Sequence, residues 1–248
     1  MAPSPNFDAA AYGASGIADD YDALYADEWD TDLAVQRLAA LADGGAVLEF
    51  GIGTGRLALP LVARGIQVDG IDGSPEMIAK LREKPGGDEI DVWIGDFGET
   101  RTGRNYRLVV LAVNTIFALP DQQAQLRCFQ NAARHLRPAG AFVVEAWLPD
   151  LGAFRDRKHL RARVVRDDIL SIEGAVIDPA TQTMRTVQAV LRDGTVKLYP
   201  ANHRYAWPAE LDLMAQLAGL HRAARWADWS GAEFDANSRS HVTVYRSA

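Results

Sequence analysis

A single cysteine, Cys128, in 248 residues leaves no partner for a disulfide within the chain and excludes a four-thiolate zinc site. The five histidines, His135, His159, His203, His221 and His241, are scattered, with no spacing that suits a metal. No apolar run approaches the roughly 20 residues a membrane-spanning helix needs. The opening stretch, MAPSPNFDAAAYGASG, has neither a basic start nor an apolar centre, so it does not read as a secretory signal. Positive charge is in deficit: 26 basic against 33 acidic residues give a net charge of −7, which sets the chain against a phosphate backbone. Internal repeats and low-complexity blocks are absent. These deficits describe a cytoplasmic protein with no membrane and no nucleic acid among its expected partners.

Glycine, in contrast, is concentrated in one place. In VLEFGIGTGR, residues 47–56, Gly51, Gly53 and Gly55 alternate directly after an apolar run that carries Glu49. Backbone without side chains bends sharply and admits a ligand to contact distance. The segment RLALPLVARG beyond it has apolar residues at helical spacing, so the glycines join a strand to a helix. Strand–helix alternation continues. IQVDGID ends a second strand at Asp72, and SPEMIAKLREK is a helix capped by Ser74 with Pro75 in its first position. EIDVWIGDF carries a third strand to the neighbourhood of Asp96, and YRLVVLAVN is a fourth. DQQAQLRCFQNAARHLRPAG is a long helix closed by Pro138 and Gly140, and AFVVEAW is a fifth strand. Near-continuous Val/Ile/Leu strands alternating with helices imply a parallel, doubly wound α/β sheet covered on both faces. Residues 161–206 change rhythm: strands broken at Asp178-Pro179 and Asp193-Gly194 predict an antiparallel β insert. A helix with Pro208 in its first turn and two closing strands, HRAARWADW and SHVTVYR, complete the chain.

Three acids stand at strand ends along one edge of this sheet. Glu49 precedes the glycine turn, Asp72 ends the second strand and Asp96 follows the third. Carboxylates there can accept bonds from ribose hydroxyls, a ligand ammonium or an adenine amino group. A dinucleotide fingerprint needs glycine at position 56, where this chain has Arg56, and the Lys-Ser/Thr of a phosphate loop is missing. That argues against a nicotinamide-dependent oxidoreductase.

LEFGIGTGR, GIDGSPEMI, GDF and LRPAGAFVVEAW resemble the successive motifs of class I S-adenosylmethionine-dependent methyltransferases. The resemblance implies a Rossmann-like, mostly parallel sheet of seven strands with its last strand reversed. It implies S-adenosyl-L-methionine as cofactor and S-adenosyl-L-homocysteine as product. Gly51, Gly53 and Gly55 would pass under the methionine part, Asp72 would take the ribose hydroxyls, Met77 and Phe97 would enclose the adenine, and Asp96 would bind its amino group. Glu49, Tyr21 and Asn114 join them as candidate cofactor contacts. AYGASGIADDYDALY, VEAW and NHRYAWPAELDLMAQLAGL extend the resemblance to small-molecule N-methyltransferases of secondary metabolism, with those acting on nucleotide-linked amino sugars nearest. By that similarity Tyr12 would close over sulfonium and substrate. Those sugar enzymes carry a histidine within SSIGH after the fourth strand; this chain has NTIFAL, with Ala118 at that place.

On that basis residues 1–45 are expected to form a helical lid, 46–150 the cofactor-binding core, 151–206 the insert that covers substrate or supports a homodimer, and 207–248 the closing helix and strands. The acceptor is expected to be a small molecule, methylated on an amine or a hydroxyl. Tyr25, Phe117, Glu145, Trp147, Arg204 and Trp207 are candidate substrate-lining residues. Tyr12 and His203 are candidates for orienting the acceptor or moving a proton. Each has a plainer reading: packing for the tyrosines, a satisfied polar group for Glu145, an ordinary strand histidine for His203. The basic run RDRKHLRARVVR, 155–166, is either a solvated surface or a grip on a phosphate-bearing acceptor. A nucleic-acid methyltransferase would carry Asn/Asp-Pro-Pro-aromatic after the fourth strand, where Val113-Asn114-Thr115-Ile116 stands. A non-catalytic protein that keeps the cofactor pocket remains an alternative at this level.

Overall fold

The computed structural model describes residues 16–25 and 30–247. Helices α1 (Ile17–Tyr25) and α2 (Thr31–Ala42) precede β1 (Val47–Phe50). Then α3 (Ala58–Val62) leads to β2 (Val68–Asp72), and α4 (Pro75–Arg82) to β3 (Asp91–Ile94) and β4 (Tyr106–Leu111). Helix α5 (Gln122–His135) runs directly into β5 (Leu136–Trp147). Four strands follow, β6 (Lys158–Val165), β7 (Ile169–Asp178), β8 (Thr183–Arg192) and β9 (Thr195–Arg204), then α6 (Pro208–Leu217), β10 (Leu220–Trp226) and β11 (Ser240–Ser247).

The main sheet has seven strands in the order β10-β11-β5-β4-β1-β2-β3. β1 to β5 are mutually parallel where they pair, and β11 runs antiparallel to both β5 and β10. Both faces are apolar, as the unbroken hydrophobic strands require. Leu48, Val109, Phe142 and Val144 point into a core shared with Cys128 and Phe129 of α5 and Leu211 of α6. Their neighbours Val47, Leu108, Val110 and Val143 face the opposite core, closed by α2, α3 and α4. This period-two alternation fixes the register, since a one-residue slip would exchange the two cores.

The insert is a separate antiparallel sheet in the order β6-β7-β8-β9. Asp193, with φ 51°, and Gly194, with φ 73°, turn β8 into β9, the left-handed pair an Asp-Gly hairpin demands. Helix α1 lies between the two sheets. Its Ile17 and Leu24 pack with Met77 of α4 and with Ile169, Val190 and Tyr199 of the insert.

Three boundaries differ from the expected ones. β5 begins at Leu136 instead of Ala141, because Pro138 disfavours helix at the residue before it and α5 stops at His135. β3 ends at Ile94, which leaves Asp96 in the loop beyond it. α3 is five residues long. Among the described residues no helix is long and apolar enough to cross a membrane.

Candidate active site

The parallel strands end at a cleft floored by the glycine turn. Gly51, at φ 68°, packs so closely on Thr115 that a Cβ would stand 2.6 Å from its Cγ2. Gly53, at φ 54°, has open space where a Cβ would project; nothing lies nearer than the Gly51 carbonyl at 4.0 Å. The bare backbone therefore faces the cleft. Gly55 serves packing instead, since a Cβ would come within 2.4 Å of Leu81. Asp72, at the end of β2, ties the turn together: Oδ2 accepts from the Gly53 N–H at 2.7 Å and Oδ1 from the Ser74 N–H at 2.8 Å. Burial pushes the Asp72 carboxyl up, against the pull of the Ser74, Gly53 and Gly73 amides. Ser74 caps α4 by accepting from the Met77 N–H, which sets Met77 into the cleft wall. Met77 and Phe97 line the cleft together with Tyr21 of α1.

Glu49 and Asp96 stand just behind this surface. Glu49 is buried at the end of β1, and burial raises its carboxyl to about 8 although Arg56 opposes the shift. Its Oε2 has no hydrogen-bond partner among the described residues. Asp96 turns back on its own loop, Oδ1 accepting from the Gly98 N–H at 2.7 Å.

A second, larger cavity of about 560 Å³ opens beside the cleft, between the main sheet, the inner face of the insert and α1. The two share Tyr21, Val113 and Ala118 as walls. The cleft alone measures about 80 Å³, and α1, laid over it, is what narrows it. Lys80 pairs with Asp19 at 2.9 Å, Lys84 pairs with Asp22, and Asp22 accepts from the Thr54 hydroxyl at 2.6 Å. On its other side α1 is tied to the insert: Asp20 accepts from Arg192 at 3.0 Å, Lys197 at 2.9 Å and the Tyr199 hydroxyl at 2.6 Å.

The wall where the cavities meet is strained. Val113 and Asn114 adopt left-handed φ of 50° and 61°, rare for any residue with a Cβ and a real outlier for a β-branched one. Glu145 of β5 holds them there. Its Oε2 accepts from the Val113 N–H at 2.9 Å, and its backbone carbonyl accepts from the Asn114 N–H at 3.1 Å. The Asn114 side chain accepts from the Trp147 N–H at 2.6 Å, so it locks the turn to β5 and borders the larger cavity, not the cleft. The other Glu145 oxygen, Oε1, accepts from the indole N–H of Trp229, 84 residues away, at 2.7 Å.

Glu145, Trp147, Tyr25 and His203 all border the larger cavity. Burial holds the His203 ring below its ordinary pKa, and Thr186 Oγ1 lies 3.2 Å from its Nε2. The structure corrects three expected lining residues. Arg204 follows His203 on β9 and faces the other way, into a buried network with Gln125 at 2.6 Å and Glu210 at 2.6 Å. Phe117 is fully buried beneath Trp147, with ring centroids 5.0 Å apart. Trp207 is exposed at the start of α6. Tyr12 lies outside the described residues. The basic run does not converge on a ligand: Arg161 and Arg163 reach the cavity but face Glu173, Arg161 at 2.7 Å. Lys158, farther down the run, lines separate surface depressions. Trp229, Glu173 and Asp20 went unsingled in the sequence, because their partners lie on distant strands and no local motif marks them.

Residues 47–140 match a family described as a methyltransferase domain. The chain is 38% identical to the CcbJ methyltransferase from Streptomyces caelestis, with a TM-score of 0.87 over 96% of this chain and 98% of that one. It is 26% identical to the cypemycin N-terminal methyltransferase of a Streptomyces species over 204 residues, 82% of this chain and 83% of that protein. The fold also matches CalS10, an amino pentose methyltransferase from Micromonospora echinaspora solved with its cofactor, at 20% identity and a TM-score of 0.70 over 92% and 96% of the two chains. The glycine cleft at the carboxyl edge of a seven-stranded sheet and these likenesses agree: the chain belongs to the class I S-adenosylmethionine-dependent methyltransferases.

Proposed function

We propose that the chain transfers the methyl group of S-adenosylmethionine to a nitrogen or oxygen of a small, largely apolar metabolite held in the 560 Å³ cavity. The observation that carries this reading is the shared wall of Tyr21, Val113 and Ala118, which brings a cofactor cleft and a metabolite-sized cavity edge to edge. The cleft suits the cofactor: side-chain-free backbone at Gly53, a buried carboxylate at Asp72 and an unpartnered buried oxygen on Glu49. Asp72 would accept the ribose hydroxyls, Met77 and Phe97 would hold the adenine between them, Asp96 would accept from its amino group, and Gly51 and Gly53 would underlie the amino-acid part, with Glu49 held neutral by burial behind them. When bound, the cofactor supplies a methyl carbon already activated by its sulfonium.

The protein's part is alignment and exclusion of water. Tyr21 and Tyr25 of α1 present aromatic walls, which attract a sulfonium as they attract other cations. Tyr12 belongs with them in the proposed lid, residues 1–45. The core, 46–150, and the closing elements, 207–248, carry the cleft, and the insert, 151–206, covers the acceptor. His203, kept neutral by burial, can take the proton of a hydroxyl acceptor. A cavity with Trp147, Trp229 and Met184 in its walls supports a small, largely apolar acceptor over a base in a nucleic acid. The outer face of the insert is apolar, with Leu160, Val176, Val196 and Leu198 all at least half exposed, and this supports a homodimer formed through it.

The test is calorimetry followed by turnover. S-adenosylhomocysteine should raise the melting temperature and NAD should not. Mass spectrometry of reactions with panels of amines, phenols and nucleotide-linked sugars should then show a mass gain of one methyl on an apolar amine or hydroxyl. Stabilisation by NAD alone, or methylation confined to the nucleotide-linked panel, would overturn the reading.

A further inference from the structure

We infer that the acceptor is an alkyl amine and that Glu145 is the group that binds its nitrogen, on the understanding, taken from the function proposed above, that the larger cavity is the acceptor site. The Glu145 carboxylate borders that cavity. It also holds Val113, a wall of both cavities, at 2.9 Å. It therefore stands within one residue of the boundary that a transferred methyl has to cross. Each of its oxygens accepts one bond, from the Val113 amide and the Trp229 indole, which fixes the plane of the carboxylate and leaves further lone pairs on both oxygens.

The bonds this carboxylate makes exceed what a glue for the turn needs. Asn114 and the Glu145 backbone already tie the turn to β5. A left-handed valine is costly and persists where the surroundings over-determine it, most often at a functional site. Here the strain places a charged acceptor at the junction. Arg161 and Arg163 border the same cavity and pair with Glu173. Asp30 and Asp228 border the same cavity and add negative charge.

Such a site discriminates by charge. The alkylammonium that the carboxylate attracts first releases one proton to solvent; the neutral amine then keeps an N–H donated to Glu145 and turns its lone pair toward the methyl carbon. The nitrogen–carbon bond forms as the carbon–sulfur bond breaks, and the sulfur keeps the bonding pair. The nitrogen gains the positive charge that the sulfur loses, directly beside the carboxylate. The methylated product stays an ammonium paired with the Glu145 carboxylate until it leaves, and its proton exchanges with solvent after release. A fixed carboxylate aimed where cationic charge develops lowers the barrier without reorganising. A hydroxyl acceptor gains much less from it.

The probes are piperidine, cationic at neutral pH, and cyclohexanol, an uncharged ring of the same size, titrated into the full chain saturated with S-adenosylhomocysteine. The wild type should bind piperidinium at least about tenfold more tightly than cyclohexanol, and Glu145→Gln should abolish that preference while its S-adenosylhomocysteine affinity stays within about threefold. Should Glu145→Gln unfold, the wild type still decides: bound piperidinium must give intermolecular NOEs to the indole protons of Trp229. Equal binding of the two probes to the wild type, a preference that survives Glu145→Gln, or NOEs that avoid Trp229 would each overturn the inference. Failure of S-adenosylhomocysteine to bind at all would instead strike the proposed function.

Discussion

The cofactor cleft and the acceptor cavity are neighbours built by opposite means. The cleft is floored by residues close in the chain, a strand end, a glycine turn, an Asp at the next strand end and a capped helix tied by backbone-to-side-chain bonds, with Tyr21, Phe97 and Val113 closing its sides. The cavity is made of side chains that meet from α1, β5, the insert and the loop that holds Trp229. The first arrangement tolerates little change, because the backbone itself is the ligand-facing surface. The second can be re-lined one side chain at a time without moving a strand. The difference points to the cavity as the region whose lining can vary with least disturbance to the fold.

The comparison breaks most sharply at Asp72. Asp72→Ala leaves the Gly53 and Ser74 amides without their charged acceptor, bonds of roughly 1.5–3 kcal/mol each before relaxation. Urea unfolding should show a loss of about 2–4 kcal/mol, and S-adenosylhomocysteine should bind at least about tenfold more weakly.

Asp20 tests the link between the two regions. Asp20→Ala strands Tyr199 and removes the charged fastening of α1 to the insert, leaving the apolar packing and the Tyr25–Gln188 bond, at a cost of about 1–3 kcal/mol. Limited proteolysis within residues 16–25 should quicken, and turnover should fall more than cofactor affinity does. The hydrogen bonds from Tyr199 and Lys197 outweigh burial and hold the Asp20 carboxyl below its ordinary 3.8. This fastening is therefore present above that value and is lost as pH falls further.

Glu49 sharpens the picture of the cleft by pH. Burial favours its neutral form in the folded state, so the stability it contributes is full below 4.5 and is lost as pH rises through about 8. The melting temperature of the free protein should decline across that window, and Glu49→Gln should flatten the decline. A slope unchanged in the variant would remove Glu49 as its source.

The smallest effect belongs to the outer face of the insert. Leu198→Lys, at a side chain 60% exposed, should leave stability and cofactor binding unchanged but shift sedimentation from dimer to monomer. A wild type that sediments as a monomer would contradict the proposed dimer.

Legibility in the sequence follows the same divide. The strand–helix alternation, the Ser74 cap and the Asp193-Gly194 hairpin rest on local chemistry and could be read from spacing, while the count of seven strands comes with the family resemblance. Gly53 and Asp72 stand around the cleft for the same reason, and Met77 and Phe97, which line it too, are reachable through the family resemblance. The cavity could not be read that way. Whether His203 or Arg204 faces inward is decided by partners outside the strand, with Gln125 of α5 and Glu210 of α6 holding Arg204. The charge of the run 155–166 looked available until the pairing of β6 with β7 set Arg161 opposite Glu173. Aromatic character singled out Phe117 and Trp207, but one is core and the other is at the surface, while Trp229 reaches the site from the far end of the chain.

The most direct test of the divided site is isothermal titration of S-adenosylhomocysteine into the wild type, Asp72→Ala and Glu145→Gln, at a temperature where all three are folded. The account predicts one site per chain in the wild type, an affinity reduced at least about tenfold by Asp72→Ala, and an affinity within about threefold of wild type for Glu145→Gln. Equal loss in both variants, or loss only in Glu145→Gln, would contradict it.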